Sequence, residues 1–448
     1  MRAPVQQPRR WAVAAALVLA IPAAARPAAA EHVIATADGA VNVGYTQTTR
    51  STFQADPMAE PGDIPKSSIG GFFTELRPGI SFQSGAPRLL WTLGYQLSGN
   101  FIFGDERSTS YSNQANGALA AQLSKYTLLT LNGAIAQGGT SFLLGQRPAE
   151  TGQPELRAAG NPNVVSATLA EALSWEVGKR LALRHSLAGA LSTPQDDLGQ
   201  YNGSLTGTLG LDRLFRRDNA GLEVRSIISW LRPQQEGASP YASLTNSVLV
   251  RWNHDFSWKW NGLATAGIEQ VYTDTGSKPL GLLPSGSAVL RYSVGNTLGA
   301  LELSHGSATN LQVGAVTLSD RITVRGVYTL SAEKLRALSF SAGFLHNQPL
   351  GEASALVAGS GDAIQGDAGF TTQVMKSVLV TARYTLAYQY GQGGGLGATL
   401  AHIALVGVTA RYSNASKAER PRPLRGNRVD GSDGKPFPTG PAGEASRR

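Results

Sequence analysis

Between Arg88 and Gly104 the chain alternates side-chain character with a period of two. Leu89, Trp91, Leu93, Tyr95, Leu97, Gly99, Phe101 and Phe103 fall on one face, and Arg88, Thr92, Gly94, Gln96, Ser98 and Asn100 on the other, with Leu90 and Ile102 as exceptions. Successive side chains of a strand point to opposite faces, so this stretch is a strand with one apolar and one polar side. The pattern recurs. Phe72, Leu76, Ile80 and Phe82 oppose Glu75, Arg77, Ser81 and Gln83, and Ile322, Val324, Tyr328 and Leu330 oppose Arg321, Thr323, Arg325 and Thr329. Tyr201 to Asp212 and Val378 to Tyr390 read the same way.

Many of these stretches run 12 to 17 residues, far longer than the usual strand of about 5–6. A tilted strand crossing a bilayer needs about 9–11 residues in the membrane and often extends beyond it. Lipid tolerates no unpaired strand edge, so such a sheet has to close on itself. The expectation is an all-β chain folded as a closed antiparallel transmembrane β-barrel. A secreted solenoid, propeller or sandwich also alternates, but the spacing here is irregular and no unit repeats at a fixed period.

Composition agrees. The 448 residues are 42% hydrophobic and only 16% charged, with 52 Gly and no Cys, so no disulfide scaffold or thiolate metal site is available. No run after residue 30 approaches the roughly 20 apolar residues of a membrane helix. Residues 1–30 read as a cleaved signal peptide: Arg2, Arg9 and Arg10, then the apolar stretch Trp11 to Ala25, then Ala28, Ala29 and Ala30 before Glu31. Residues 31–414 are the expected barrel. Residues 415–448, rich in Pro, Gly, Arg and Ser, are expected to form a disordered basic tail on the periplasmic side. The net charge of +8 divides equally between the two ends, because 1–30 hold four Arg without an acid and 415–448 hold eight Lys/Arg against four acids. The middle is neutral, which removes the charge argument for nucleic acid. The expected location is the outer membrane of a Gram-negative bacterium.

Outer-membrane barrels alternate short periplasmic turns with longer extracellular loops. Tight turns fall near 85–87, 124–125, 178–180, 217–219, 255–256, 295–296, 332–334 and 375–376, with longer connections such as 49–68, 143–162, 305–309 and 347–365 between them. Ser319-Asp320 reads either as a turn, giving nineteen strands, or as a bulge in one long strand, giving eighteen. Only the second keeps the alternation. The count is therefore eighteen, within a range of 16–20, and the loops 143–162 and 347–365 are the segments long enough to fold inward.

An eighteen-stranded barrel leaves a lumen wide enough for an aqueous channel. The polar faces place Glu75, Arg77, Arg184, Glu223, Arg225, Arg251, Glu269, Arg291, Arg325, Arg383 and Arg411 inside it as candidate lining residues. Their excess of Arg suits anionic or hydroxyl-rich solutes, although any water-filled lumen carries such groups. Trp91, Phe103, Trp258, Trp260, Tyr388, Tyr390 and Tyr412 sit near strand ends on the apolar face and form a candidate interfacial girdle. Val406, Val408, Ala410 and Tyr412, with Gly407, resemble the assembly signal of outer-membrane barrels, although Ala410 stands where an aromatic is usual.

Nothing recommends an enzyme, a cofactor or a metal. His305-Gly306-Ser307 matches a His-x-Ser spacing found in outer-membrane phospholipases, but it lies in an apparent Gly/Ser loop without an Asn partner. His254-Asp255 falls in a turn, His185 and His402 lie singly on apolar faces, and no pair has metal-ligand spacing.

The segment FFTELRPGISFQSGAPRLLWTLGYQLSG, Phe72 to Gly99, carries Glu75, Pro78-Gly79-Ile80-Ser81 and Tyr95. It resembles the early hairpin of outer-membrane barrels that accompany exopolysaccharide and exosortase-type systems. The strand count is similar to that of the eighteen-stranded polysaccharide-export barrels of myxobacteria. The resemblance implies passage of a hydrophilic solute, and specifically export of a polysaccharide alongside a periplasmic polysaccharide-export protein. The alternatives are a general or sugar-selective uptake porin and a structural or adhesive surface barrel. The remaining expected partners are outer-membrane lipid with lipopolysaccharide and the barrel-assembly machinery.

Overall fold

The computed structural model describes residues 33–414 apart from 52–65, 87, 105–107, 140–162, 179, 195–200, 216, 233–238, 274–280, 312–314, 351–359 and 393–397. The expected signal peptide and C-terminal tail, and the loop 143–162, lie outside the described residues. The first strands are β1 (Val33–Ser51), β2 (Lys66–Ala86), β3 (Leu89–Gly104), β4 (Ser108–Ser124), β5 (Thr127–Gly139) and β6 (Asn163–Gly178). The middle ones are β7 (Leu181–Pro194), β8 (Asn202–Leu214), β9 (Asp218–Leu231), β10 (Tyr241–Asp255), β11 (Trp260–Thr273) and β12 (Leu282–Val294). The last are β13 (Thr297–Asn310), β14 (Ala315–Ser331), β15 (Arg336–Pro349), β16 (Ser360–Met375), β17 (Val378–Gln392) and β18 (Ala398–Ser413).

Each strand pairs antiparallel with its neighbours in sequence, and β1 pairs with β18, so the eighteen strands form one closed sheet with no free edge. Lengths run from 13 residues in β8 to 21 in β2, enough to cross a tilted bilayer path with extensions. Both β1 and β18 reach the end that carries the short turns.

Four of the short hairpins share a device. The register slips by one residue at Gln122/Ser124, Glu176/Gly178, Thr329/Ser331 and Gln373/Met375. Each slip is a β-bulge, which tightens the local twist beside the turn. The extra residues are Leu123, Val177, Leu330 and Val374, all apolar and all exposed.

Polarity is inverted relative to a water-soluble protein. Val41, Leu76, Leu209, Val250, Ile268 and Phe340 are exposed, whereas Asn100, Asp212, Ser247, Glu269 and Thr323 are among the most buried residues. A closed sheet whose outward side chains are apolar and whose polar side chains pack inside is built for lipid around it. The protein is an all-β transmembrane barrel of the outer membrane.

Two details differ from the sequence expectation. Ser319 and Asp320 are neither turn nor bulge: β14 runs through them in unbroken register with both neighbours. Residues 305–309 are not a loop, since β13 continues to Asn310. Period-two patterning marks where strands lie, but Gly306 and the polar residues beside it obscured that continuation.

Candidate functional site

The register assigns a face to every strand residue. Val41, Leu76, Gly99 and Tyr111 align across β1–β4 on the outside, so Asn42, Glu75, Asn100 and their neighbours lie inside. By the same parity all eleven charged residues named above take inward positions. Arg291 and Arg411 stand near the short-turn end, opposite Asn261 and Asp38.

Most of the others are joined. On β1–β3, the Glu75 carboxylate accepts hydrogen bonds from Asn42 Nδ2 at 2.6 Å and Ser98 Oγ at 2.9 Å. Arg77 approaches the same carboxylate at 3.6 Å and donates to Gln96 Oε1 at 3.2 Å. On β7–β10, Arg184 grips Asp212 with two nitrogens, at 2.5 and 3.1 Å. Arg251 lies 3.7 Å from Asp212, and Arg184 lies 3.7 Å from Glu223. Arg225 donates to Ser247 Oγ at 3.3 Å. This grouping needs Gly221, because a Cβ there would fall 2.0 Å from the Asp212 carboxylate. Farther round, Arg325 pairs with Glu302, and Asp367 accepts from Arg383 at 2.5 Å and Thr385 at 2.8 Å. Charge-assisted contacts of this kind are strong, and the two-pronged Arg184–Asp212 pair also fixes the orientation of both partners. The inner wall is thus polar, and several of its acids are neutralised by arginine.

Among the described residues, a segment not expected from the sequence folds inward. It belongs to the β13–β14 hairpin, in its described residues 306–311, 315 and 316. Ser307 donates its backbone N–H to Glu269 on β11. Thr309 and Ser229 of β9 share a hydrogen bond at 2.9 Å, and Asn202 of β8 donates to the Leu311 carbonyl at 2.7 Å. Val316 is buried with Leu231, Tyr241 and Val271, which are inward residues of β9, β10 and β11. The hairpin therefore leans across the long-loop end of the lumen and rests on wall strands up to five places away. Gly306 permits the turn inward: its φ is +154°, and a Cβ there would lie 2.7 Å from Ser285 Oγ. The described part of 347–365 belongs to β15, β16 and Leu350, whose N–H bonds Val316 O at 2.9 Å; 351–359 lie outside the described residues.

The aromatic candidates divide between the two rims. Trp91, Trp260 and Tyr412 face outward near the short turns, and Trp258, in the β10–β11 turn, is 79% exposed. Phe103, Tyr388 and Tyr390 face outward at the opposite rim. Sequence reading missed Trp175 at the short-turn rim and Trp230 and Tyr272 at the opposite one, although each ends an alternating stretch.

The five described histidines all face outward, and each has a partner. His185 stands 3.9 Å from Glu171, and His402 bonds the Tyr384 hydroxyl at 2.7 Å, so neither is alone on its apolar face. His254 pairs with Asp218 across the β9–β10 ladder rather than with Asp255, which accepts from Asn261. His305 meets Asp320 at 2.6 Å. No hydrogen bond links Ser307 to His305 among the described residues, because the strand has already turned toward Glu269.

No protein-family model matches the chain, and no curated protein matches it in sequence. Solved structures that resemble it include Pseudomonas aeruginosa OccK7 (OpdD), with a TM-score of 0.42 and 10% identity over 85% of this chain and 100% of that one. Acinetobacter baumannii OccAB3 follows with a TM-score of 0.39 and 10% identity, covering 84% and 99% of the two chains. The siderophore receptor PiuA from Acinetobacter baumannii has a TM-score of 0.40 and 8% identity, covering 84% and 82%. At these values the likeness carries no argument about what this barrel transports.

Proposed function

We propose that the protein is a diffusive channel for small hydrophilic solutes, narrowed at its extracellular side by the β13–β14 hairpin. The observation that carries this reading is the inner wall itself. Hydroxyls, amides and arginine–carboxylate pairs line it, and such groups exchange hydrogen bonds with water and passing solutes instead of holding one ligand. The hairpin sets the size limit. In this reading the eleven charged residues line the path, and the paired acids keep the field of the excess arginines mild.

Polysaccharide export with a periplasmic partner is the second reading, supported by the resemblance of Phe72 to Gly99. That reading calls for aromatic rings alongside arginines, because sugar rings stack on aromatic faces. Among the described strand residues only Phe73 and Tyr241 are aromatic on the inner face, and they are 2% and 4% exposed. The arginines fit; the aromatics do not.

Deleting the gene separates the two. A diffusive channel leaves surface polysaccharide unchanged and lowers entry of small hydrophilic solutes. Loss of surface polysaccharide with periplasmic accumulation, restored by the full-length chain, would establish export and reject the first reading.

A further inference from the structure

His305, Asp320, His346 and Asp362 are successive register partners on β13, β14, β15 and β16, so they form one lateral row on the outer face. Contacts of 2.6 Å join the first two and the last two. On β13, β15 and β16 the row stands one outward position beyond the last outward apolar side chain, namely Leu303, Phe344 and Ile364. On β14 Asp320 stands one outward position beyond Ile322, with Leu318 following it toward the hairpin tip. The row therefore marks the extracellular edge of the lipid-facing band. Elsewhere this edge carries outward aromatics, including Tyr45, Phe72, Phe103, Trp230 and Tyr272. Interfacial aromatics anchor a barrel to lipid headgroups. Over these four strands that anchor is replaced by alternating imidazoles and carboxylates.

We propose that this stretch of rim is the contact between two copies of the chain, related by a two-fold axis along the membrane normal. A row reading His-Asp-His-Asp reads Asp-His-Asp-His when rotated by half a turn, so each imidazole faces a carboxylate. Self-complementarity of this kind is what an isologous interface requires. Barrel curvature brings only the middle of the row close to a neighbour. Strand tilt has the same effect, since a tilt of roughly 40° lifts the row by about 3 Å per strand. The axis therefore passes between β14 and β15, and Asp320 meets the partner's His346 while His346 meets the partner's Asp320. A phosphate-bearing headgroup fits less well, because the row offers two carboxylates for its two imidazoles.

The chain contains no cysteine, so a single introduced thiol reports without background. Full-length Gln348→Cys, at the rim beside His346, would be treated in isolated outer membranes with a short bis-maleimide. The expected result is a dimer band that Leu209→Cys, outward on β8, does not give. Asp320→His in that background places imidazole against imidazole and should cut the cross-linking rate at least tenfold. Adding His346→Asp restores the complement and should recover the rate. The proposal is overturned if heat-modifiable, folded Gln348→Cys cross-links no more than Leu209→Cys and its mass in lipopolysaccharide-containing nanodiscs is that of one chain. A single chain that retains phosphorylated lipid, and loses it in His305→Ala/His346→Ala, would assign the row to headgroups and equally overturn the dimer.

Discussion

Replacing Val316 by Asp should release the hairpin from the wall and open the channel. Val316 is 1% exposed and sits among Leu231, Tyr241 and Val271, with Leu283, Leu311 and Leu350 packed around them. Losing its burial forfeits about 1.5–3 kcal/mol. Keeping an ionised carboxylate in that cluster would cost several kcal/mol more. Against this stand the neutral Ser229–Thr309 and Asn202–Leu311 hydrogen bonds, each contributing about 0.5–1.5 kcal/mol, and the charged Glu269–Ser307 bond, about 1.5–3 kcal/mol. The penalty is comparable to these three hydrogen bonds together. A shift of about 4 kcal/mol moves the equilibrium between docked and released hairpin by roughly a thousandfold. The assay is single-channel conductance in planar bilayers, with Val316→Ile as the control. Wild type and Val316→Ile should share a small unitary conductance, and Val316→Asp should show a several-fold larger one. Equal conductance for folded Val316→Asp and wild type would refute the assignment of the hairpin as the constriction.

Other outcomes follow from the same contacts. Arg184→Ala leaves the buried Asp212 carboxylate with Arg251 alone at 3.7 Å, and should cost about 3–5 kcal/mol. That cost is read as a lower temperature of heat-modifiable unfolding, and adding Asp212→Ala should restore part of it. Gly306→Val puts a side chain against Ser285 and strains a backbone at φ +154°, so its conductance should rise toward that of Val316→Asp. Glu302→Gln with Asp367→Asn frees Arg325 and Arg383 from their carboxylates; the reversal potential in a KCl gradient should move toward anion selectivity while unitary conductance changes little.

The strands were legible because period-two alternation is imposed twice here, by lipid outside and by water and polar partners inside. A slip of one residue would turn a stretch such as Leu89 to Phe103 inside out, so face assignments could be read residue by residue. The count of eighteen followed from loop parity, which is a property of the membrane rather than of any one strand. The inward hairpin was not legible. Residues 305–318 alternate whether the hairpin stands over the rim or folds into the lumen, and the choice lies with pockets on strands up to five places away. One signal was present: Leu231, Tyr241 and Val271 are apolar residues on inward faces at the long-loop end, where an uncovered aqueous wall has no use for them. The histidine partners were hidden for a related reason. Asp320 and Asp362 become neighbours of His305 and His346 only once the register between strands is known, and Ser319-Asp320 looked like an interruption for want of that register.

In the proposed function the lumen conducts hydrophilic solutes past the hairpin. The most direct measurement is swelling of liposomes that contain the full-length barrel, exposed to neutral saccharides of graded length. The expected result is entry of the smallest sugars, falling steeply with size for wild type and less steeply for Val316→Asp. Absence of swelling with every sugar, for both folded proteins, would contradict a conducting lumen.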